Sequence, residues 1–291
     1  MPSGPTTRRR QLGAELRRLR DRAGMTLEAG GEAVGVSRAT VNRYESNKGP
    51  VRWVVVEALC RAYGASGAEQ EAAVALAKTA RIQSWWKTFG DAVPAHMTPL
   101  LTLESDASEE WHWATSYVPG ILQTRPYAEA VHRAVEMRSS EEAITRMVDV
   151  RMQRQNVLKR ESPPHLWVIM DEAVLRRQVA NPSVMADQLH SLCDCAKLPH
   201  VTVQVLPFAA GAHAADPVPF VIIRGVTPDL DVVHLSNLTG ALYLEKPEEL
   251  ERHRVAFEYL RSQALDAEAS GEMIAAVGEE YSAAVHNARR P

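Results

Sequence analysis

A chain of 291 residues exceeds the usual size of one domain, so about two domains are expected. Its apolar fraction of 45% and charged fraction of 24% are ordinary for a soluble globular protein. No stretch approaches the roughly 18 consecutive apolar residues of a membrane span, and three cysteines (Cys60, Cys193, Cys195) do not make a disulfide framework. The net charge of −3 hides an asymmetry. Residues 1–52 hold eleven Lys and Arg against five acids, +6, which leaves −9 for the rest. A basic head on an acidic body suits a head that neutralises phosphates. The N-terminal arginines have no apolar run behind them, so no signal peptide is expected, and the cysteine usage points to a reducing cytoplasm.

Residues 1–9 are rich in Pro, Ser, Thr and Arg and are expected to form a flexible basic arm. The head, residues 10–81, reads as five helices. Leu12, Leu16 and Leu19 repeat at helical spacing, predicting a first helix over Leu12–Arg22 with Arg17, Arg18 and Arg22 on its other side. Gly24 ends it, because glycine accepts the left-handed conformation of a C-terminal cap. Thr26 caps a second helix that contains Gly30 and Gly31, which cost about 1 kcal/mol each relative to alanine in a helix interior. Gly35 makes the turn. Ser37 caps a third helix whose buried side carries Val41 and Tyr44. A fourth helix is expected over Val51–Tyr63, with Val54, Leu59 and Tyr63 in the core, and a fifth over Gly67–Arg81. Cys60 reads as a small buried apolar residue.

Two short helices joined by a tight turn are the layout that lays a helix in the DNA major groove. Arg38 and Asn42 are four apart and share a face, as do Ala39 and Arg43. Arginine can fork onto guanine, Asn42 can pair with adenine, and Ala39 and Thr40 can touch a thymine methyl. Asn47 and Lys48, at the helix end, suit phosphate.

The blocks LRRLRDRAGMT, GVSRATVNRYESNKG and VVVEALCRAYGAS resemble the phage-repressor-type helix-turn-helix family over Leu12–Ala65. That resemblance implies that Ser37, Arg38, Ala39 and Arg43 face base edges and that Thr26, Asn47 and Lys48 face the DNA backbone. It also implies a structural ion pair between Arg20 and Glu45. The chain departs from the family at Gly30-Gly31, where a leucine and an alanine are usual.

Residues 82–100, with Trp85-Trp86, Phe89 and two prolines, are expected to be a structured linker. The body, residues 101–291, opens with helices expected over Thr102–Ser116, Arg125–Val135 and Glu141–Lys159. Then the periodicity changes. HLWVIMDE, VTVQVLPF, PFVIIRGV, DVVHLSN and ALYLEK read as strands, short, β-branched and bounded by turn residues. Helical segments, Glu172–Ala180 and Asn181–Lys197, separate the first two. Short spacing of the second to fifth strands suggests antiparallel neighbours. Helices return over Glu248–Leu265 and Ser270–His286. The whole is therefore multidomain: an all-α five-helix head followed by an α+β domain with a mostly antiparallel sheet and flanking helices.

The runs LESDASEEWHWATSYVPGILQTRPYAEA, RMQRQNVLKRESPPHLWVIMDEAVLRR, QLHSLCDCAKLPHVTVQVLPFAAGAH and PFVIIRGVTPDLDVVHLSNLTGALYLE are similar to the long domain of the WhiJ-like regulators of actinobacteria. In that family the domain follows a helix-turn-helix of the same type. The resemblance implies an antitoxin-like regulator of transcription whose activity is tuned by a small protein partner encoded nearby, and it assigns no catalytic residue. The VPGILQT block is either core or a docking surface. Three constellations invite chemistry. His190, Cys193 and Cys195 have metal-ligating side chains, but on one helix Cys193 and Cys195 point about 200° apart, so no metal is expected. Asp171-Glu172 reads as a helix cap rather than an acid/base pair. Arg146, Arg151, Arg154, Lys159 and Arg160 read as a solvated basic helix face.

The expected function is that of a homodimeric, sequence-specific regulator on a palindromic double-stranded operator, without enzyme activity, cofactor or membrane. Two other classes compete: an interaction protein that mainly holds a small partner, and a small-molecule sensor with a pocket near Trp111 and Trp113.

Overall fold

The structure, a computed structural model, describes residues 7–46, 52–79, 85–215, 218–225, 231–237 and 240–288. It divides into two compact units, residues 1–87 with 98–106, and residues 88–97 with 107–291.

The first unit is all helical: α1 (Thr7–Arg22), α2 (Leu27–Ala33), α3 (Arg38–Glu45), α4 (Trp53–Ala62), α5 (Gly67–Thr79) and α6 (Thr98–Asp106). Leu12, Leu16 and Leu19 of α1 are fully buried with Val41, Tyr44, Val56, Leu59, Cys60 and Tyr63. Each such aliphatic side chain contributes about 1.5–3 kcal/mol on burial. α1 starts at Thr7, inside the stretch expected as an arm. Val54, expected in the core, is 51% exposed. The buried positions of α4 and its cap are 56, 59, 60 and 63, and residue 54 falls on the opposite side of a 3.6-residue turn.

The glycine pair of α2 has a packing cause. A Cβ on Gly30 would lie 2.5 Å from the Tyr63 hydroxyl, and one on Gly31 would lie 2.6 Å from the Val36 carbonyl oxygen. Both glycines are buried, so α2 approaches α4 and its own exit turn more closely than a leucine or an alanine allows. The lost helix propensity is the cost of that approach.

The second unit contains β1 (Glu109–Ala114), α7 (Arg125–Val135), α8 (Glu141–Arg154), β2 (His165–Asp171), α9 (Glu172–Arg176), α10 (Pro182–Cys195), β3 (Val201–Leu206), β4 (Phe220–Arg224), β5 (Val232–Asn237), β6 (Gly240–Leu244), α11 (Pro247–Gln263) and α12 (Ala267–Ala288). The sheet order is β3-β2-β1-β4-β5-β6. β1, β2 and β3 run parallel, while β1–β4, β4–β5 and β5–β6 are antiparallel, so the sheet is mixed and mostly antiparallel.

Two expectations are corrected here. Residues 109–114 are a central strand rather than the end of a helix, because EEWHWA alternates at period two. Trp111 and Trp113 face one side of the sheet, Glu110 and His112 the other. VTVQVL and PFVIIR are not neighbours either, because β1 and β2 stand between β3 and β4. Antiparallel pairing of consecutive strands holds from β4 to β6.

Helices cover both faces. On one, Leu166, Val168, Met170, Val201, Val203 and Val205 meet Met185, Leu189 and Leu192 of α10 and Ile274 and Val277 of α12. On the other, Trp113, Ile169, Phe220, Ile222 and Val233 meet Phe257 and Leu260 of α11. The first face changes character along the sheet. Past β2 it carries Glu110, His112 and His234, all less than 10% exposed, with the buried Arg154 nearby. His112 Nε2 and Glu110 Oε2 are 2.9 Å apart. Burial pushes the Glu110 carboxyl up to about 7, against the pull of Arg154 and Arg160, and burial with the charge of Arg154 pushes His234 down to about 4.

Candidate nucleic-acid interface

The geometry of α2 and α3 is set by three local features. Thr26 Oγ1 accepts from the Ala29 N–H at 3.1 Å and starts α2. Gly35, at φ +69°, supplies the left-handed residue of the turn. Ser37 Oγ accepts from the Thr40 N–H at 3.2 Å and starts α3. Val41 and Tyr44 then fasten α3 to the core, and this fixes what lies on its outer side. Ser37, Arg38, Ala39, Asn42 and Arg43 are all exposed there, and Thr26 is exposed at the start of α2.

Their present partners differ. Ser37 and Thr40 share a hydroxyl–hydroxyl hydrogen bond of 3.0 Å, so Thr40, half-buried, is the least free of the set. The Arg43 guanidinium lies 5.9 Å from the centre of the Tyr44 ring. Arg38 Nη1 is 2.9 Å from Glu28 Oε1, an ion pair across the two helices. Asn42 is outward, and its carbonyl accepts from Ser46. Asn47 and Lys48 lie outside the described residues.

Arg20 is not part of the outer face. Its Nε donates to Glu45 Oε1 at 2.7 Å, its Nη2 to Glu45 Oε2 at 2.9 Å, and its Nη1 to the Met25 carbonyl at 2.9 Å. One guanidinium thus ties α1, α3 and the turn before α2 together, and the Glu45 hydrogen bonds hold it above its ordinary pKa. Arg18 and Arg22 are likewise engaged, both donating to Glu69 of α5, with Glu15 also bound by Arg18. The free basic character of the head is therefore narrower than its composition.

Glu28 was not legible as part of this face. Ten residues separate it from Arg38, and helical periodicity does not run across a turn. The Glu69 clamp was hidden for the same reason, being set by how α5 lies against α1.

The other constellations resolve into structure. Asp171 caps α9 by accepting from the Ala173 N–H, and Glu172 accepts from the Phe208 N–H and from Arg176. His190 is half exposed on α10, and no group of three or more His, Cys, Asp or Glu among the described residues is placed to hold a metal. The basic run of α8 is not one solvated face. Arg146 turns out to Asp91, while Arg151 and Arg154 turn in toward Gly120. Arg151 Nη1 donates to Gln123 Oε1, and burial beside Arg154 lowers it to about 10. VPGILQT is core. Val118, Ile121 and Leu122 are buried, and its backbone is bound by the amides of Gln123, Gln155 and Gln188. Trp111 stacks on Phe257 at 5.1 Å, and Trp113 is 1% exposed, so both tryptophans are packing groups. No helix among the described residues is long and apolar enough to cross a membrane.

Two family models match the chain. One, described as a helix-turn-helix domain, covers residues 11–73, and the other, described as a domain of unknown function (DUF5753), covers residues 97–276. No curated protein and no solved structure matches it.

Proposed function

We propose, from the premise that the chain belongs to the DUF5753 family and carries an XRE-type helix-turn-helix ahead of that domain, that it is a sequence-specific, dimeric regulator of transcription. The observation that carries this reading is the outer face of α3, where Arg38, Asn42 and Arg43 stand exposed while Val41 and Tyr44 hold the helix to its core. In the groove, Arg38 and Arg43 would fork onto guanine, Asn42 would pair with adenine, and Ser37, Ala39 and Thr40 would line the approach. Thr26, Asn47 and Lys48 would hold the DNA backbone.

One head makes a small interface. Two heads on half-sites about 34 Å apart supply both affinity and a palindromic preference. In this reading the residue 101–291 region pairs the chains and receives the control input, a small protein partner of the kind that the likeness to WhiJ-like regulators implies. The protein would then work in the cytoplasm, on the nucleoid.

Selection of bound fragments from genomic DNA, run with purified protein and with Arg38→Ala, tests this. A shared palindromic site that the variant loses, by about 1–3 kcal/mol of discrimination, is the expected result. No enriched site from folded wild type would replace the regulator with an interaction protein whose main role is holding its partner.

A further inference from the structure

Glu28 sits in the first turn of α2, where the helix dipole favours a carboxylate, and Arg38 is the first residue of α3. Their side chains are 52% and 66% exposed and meet at 2.9 Å. The carboxylate is therefore held beside the guanidinium on the side of the domain that the reading above turns toward DNA. An acid at that place is a liability for any protein that only needs to bind phosphates. It repels every duplex alike and cancels part of the counterion release that the arginines gain.

The geometry supplies a compensating role. With Nη1 lying 2.9 Å from Glu28 Oε1, the Arg38 guanidinium is drawn to the α2 side, while Nε and Nη2 remain for a base edge. A forked contact to guanine needs two donors in a fixed plane. An arginine biased toward one rotamer by a neighbouring carboxylate loses less freedom on making that contact and swings less often to a neighbouring base or to a phosphate. The nearby hydroxyls do not compete for the carboxylate. Thr26 is engaged in capping α2, and Ser37 in capping α3 and bonding Thr40.

We infer that Glu28 is a specificity-determining residue that positions Arg38 for base reading at the expense of overall DNA affinity. This inference rests on the regulator reading and names the device by which its central arginine is aimed.

The test uses the full chain, the duplex selected from genomic DNA and a scrambled duplex of equal length. Dissociation constants for both are measured at two salt concentrations, for wild type, Glu28→Gln, Arg38→Ala and the double variant. Glu28→Gln keeps the shape of the side chain and removes its charge, and an unchanged melting temperature shows that the fold is kept. The expected result is tighter binding to the scrambled duplex by about 2- to 10-fold, with a steeper salt dependence. The selected-to-scrambled ratio should fall by about 5-fold or more, and adding Glu28→Gln to Arg38→Ala should lower the ratio little beyond that of Arg38→Ala alone. An undiminished ratio in Glu28→Gln, or fully additive losses in the double variant, overturns the positioning role and leaves the regulator reading standing. A wild type that prefers neither duplex overturns both.

Discussion

The two units handle charge in opposite ways. In the head, the Arg20–Glu45 pair apart, the ionic groups are at or near the surface and are tied in small pairs, Arg38 to Glu28 and Arg18 and Arg22 to Glu69. In the body, Glu110, His112, Arg154 and His234 are buried. An exposed pair is worth about 0–1 kcal/mol and can be exchanged for another partner at little cost, as an interface that meets DNA requires. A buried group can only be removed, and what it leaves behind is an unmet charge. The head is thus built to change partners and the body to keep them.

The sharpest way to break this comparison is Glu110→Ala. It removes the acid 2.9 Å from the buried His112, and a loss of about 3–5 kcal/mol in urea unfolding is expected. A loss under 1 kcal/mol would mean that the cluster is as exchangeable as a surface pair. Next comes Glu45→Ala, which takes both hydrogen bonds from the half-buried Arg20. About 1.5–3 kcal/mol should be lost on thermal unfolding, and an unchanged melting temperature would reclassify this pair with the surface ones. Gly31→Ala follows. Overpacking against the Val36 carbonyl costs about 1–3 kcal/mol, and helix propensity returns about 1, so calorimetry should show a net loss of about 0–2 kcal/mol.

The smallest effect is the pH dependence, and its windows differ between the units. In the body, burial holds His132 and His234 down to about 4, from an ordinary 6.5. Between those values the unfolded chain binds more protons at both imidazoles, so stability rises with pH. Glu110 opposes this. Its folded pKa is raised from 4.5 to about 7, so its contribution is present at low pH and is lost as pH rises through that range. Two imidazoles against one carboxyl give a net rise that slows above about pH 6 and levels off near pH 7. Glu110→Gln should steepen the rise. In the head, Arg22 and Arg18 hold the half-buried Glu69 carboxyl well below its ordinary 4.5. Its contribution is present above that value and fades only in more acid solution. Unfolding midpoints measured from pH 4 to 7.5 check both, and a head transition that moves between pH 5 and 7 would break the contrast.

The same difference explains what could be read from the sequence. The head was legible because its signals are local: leucines at helical spacing, Ser37 before α3, Gly35 in the turn. Its misses, Val54 and the glycine pair, are matters of which side chain stands opposite, which one helix does not reveal. In the body the helix starts at Arg125, Glu141 and Pro182 were legible from caps and prolines. β1 was not. Glu110 and His112 gave its alternation the look of an amphipathic helix, and what makes them acceptable inside is supplied by α8, some forty residues away. On the outer face of α3, the shared exposure of Arg38, Ala39, Asn42 and Arg43 could be read from their spacing, whereas Glu28, on α2, meets Arg38 only through the angle between two helices.

The place of β1 has a consequence for how the chain is made. It is the first of the described strands to be synthesised and, with β4, one of the two central strands of the sheet. Glu109 pairs with His165 on one side and with Arg224, 115 residues further on, at the other. Until β4 has left the ribosome, a strand bearing two tryptophans has an open edge. Pairing of such sequence separation is slow, and an open apolar edge invites another chain. A product that stops between β3 and β4 should therefore aggregate, whereas one extended through β5 has both flanks of β1 covered.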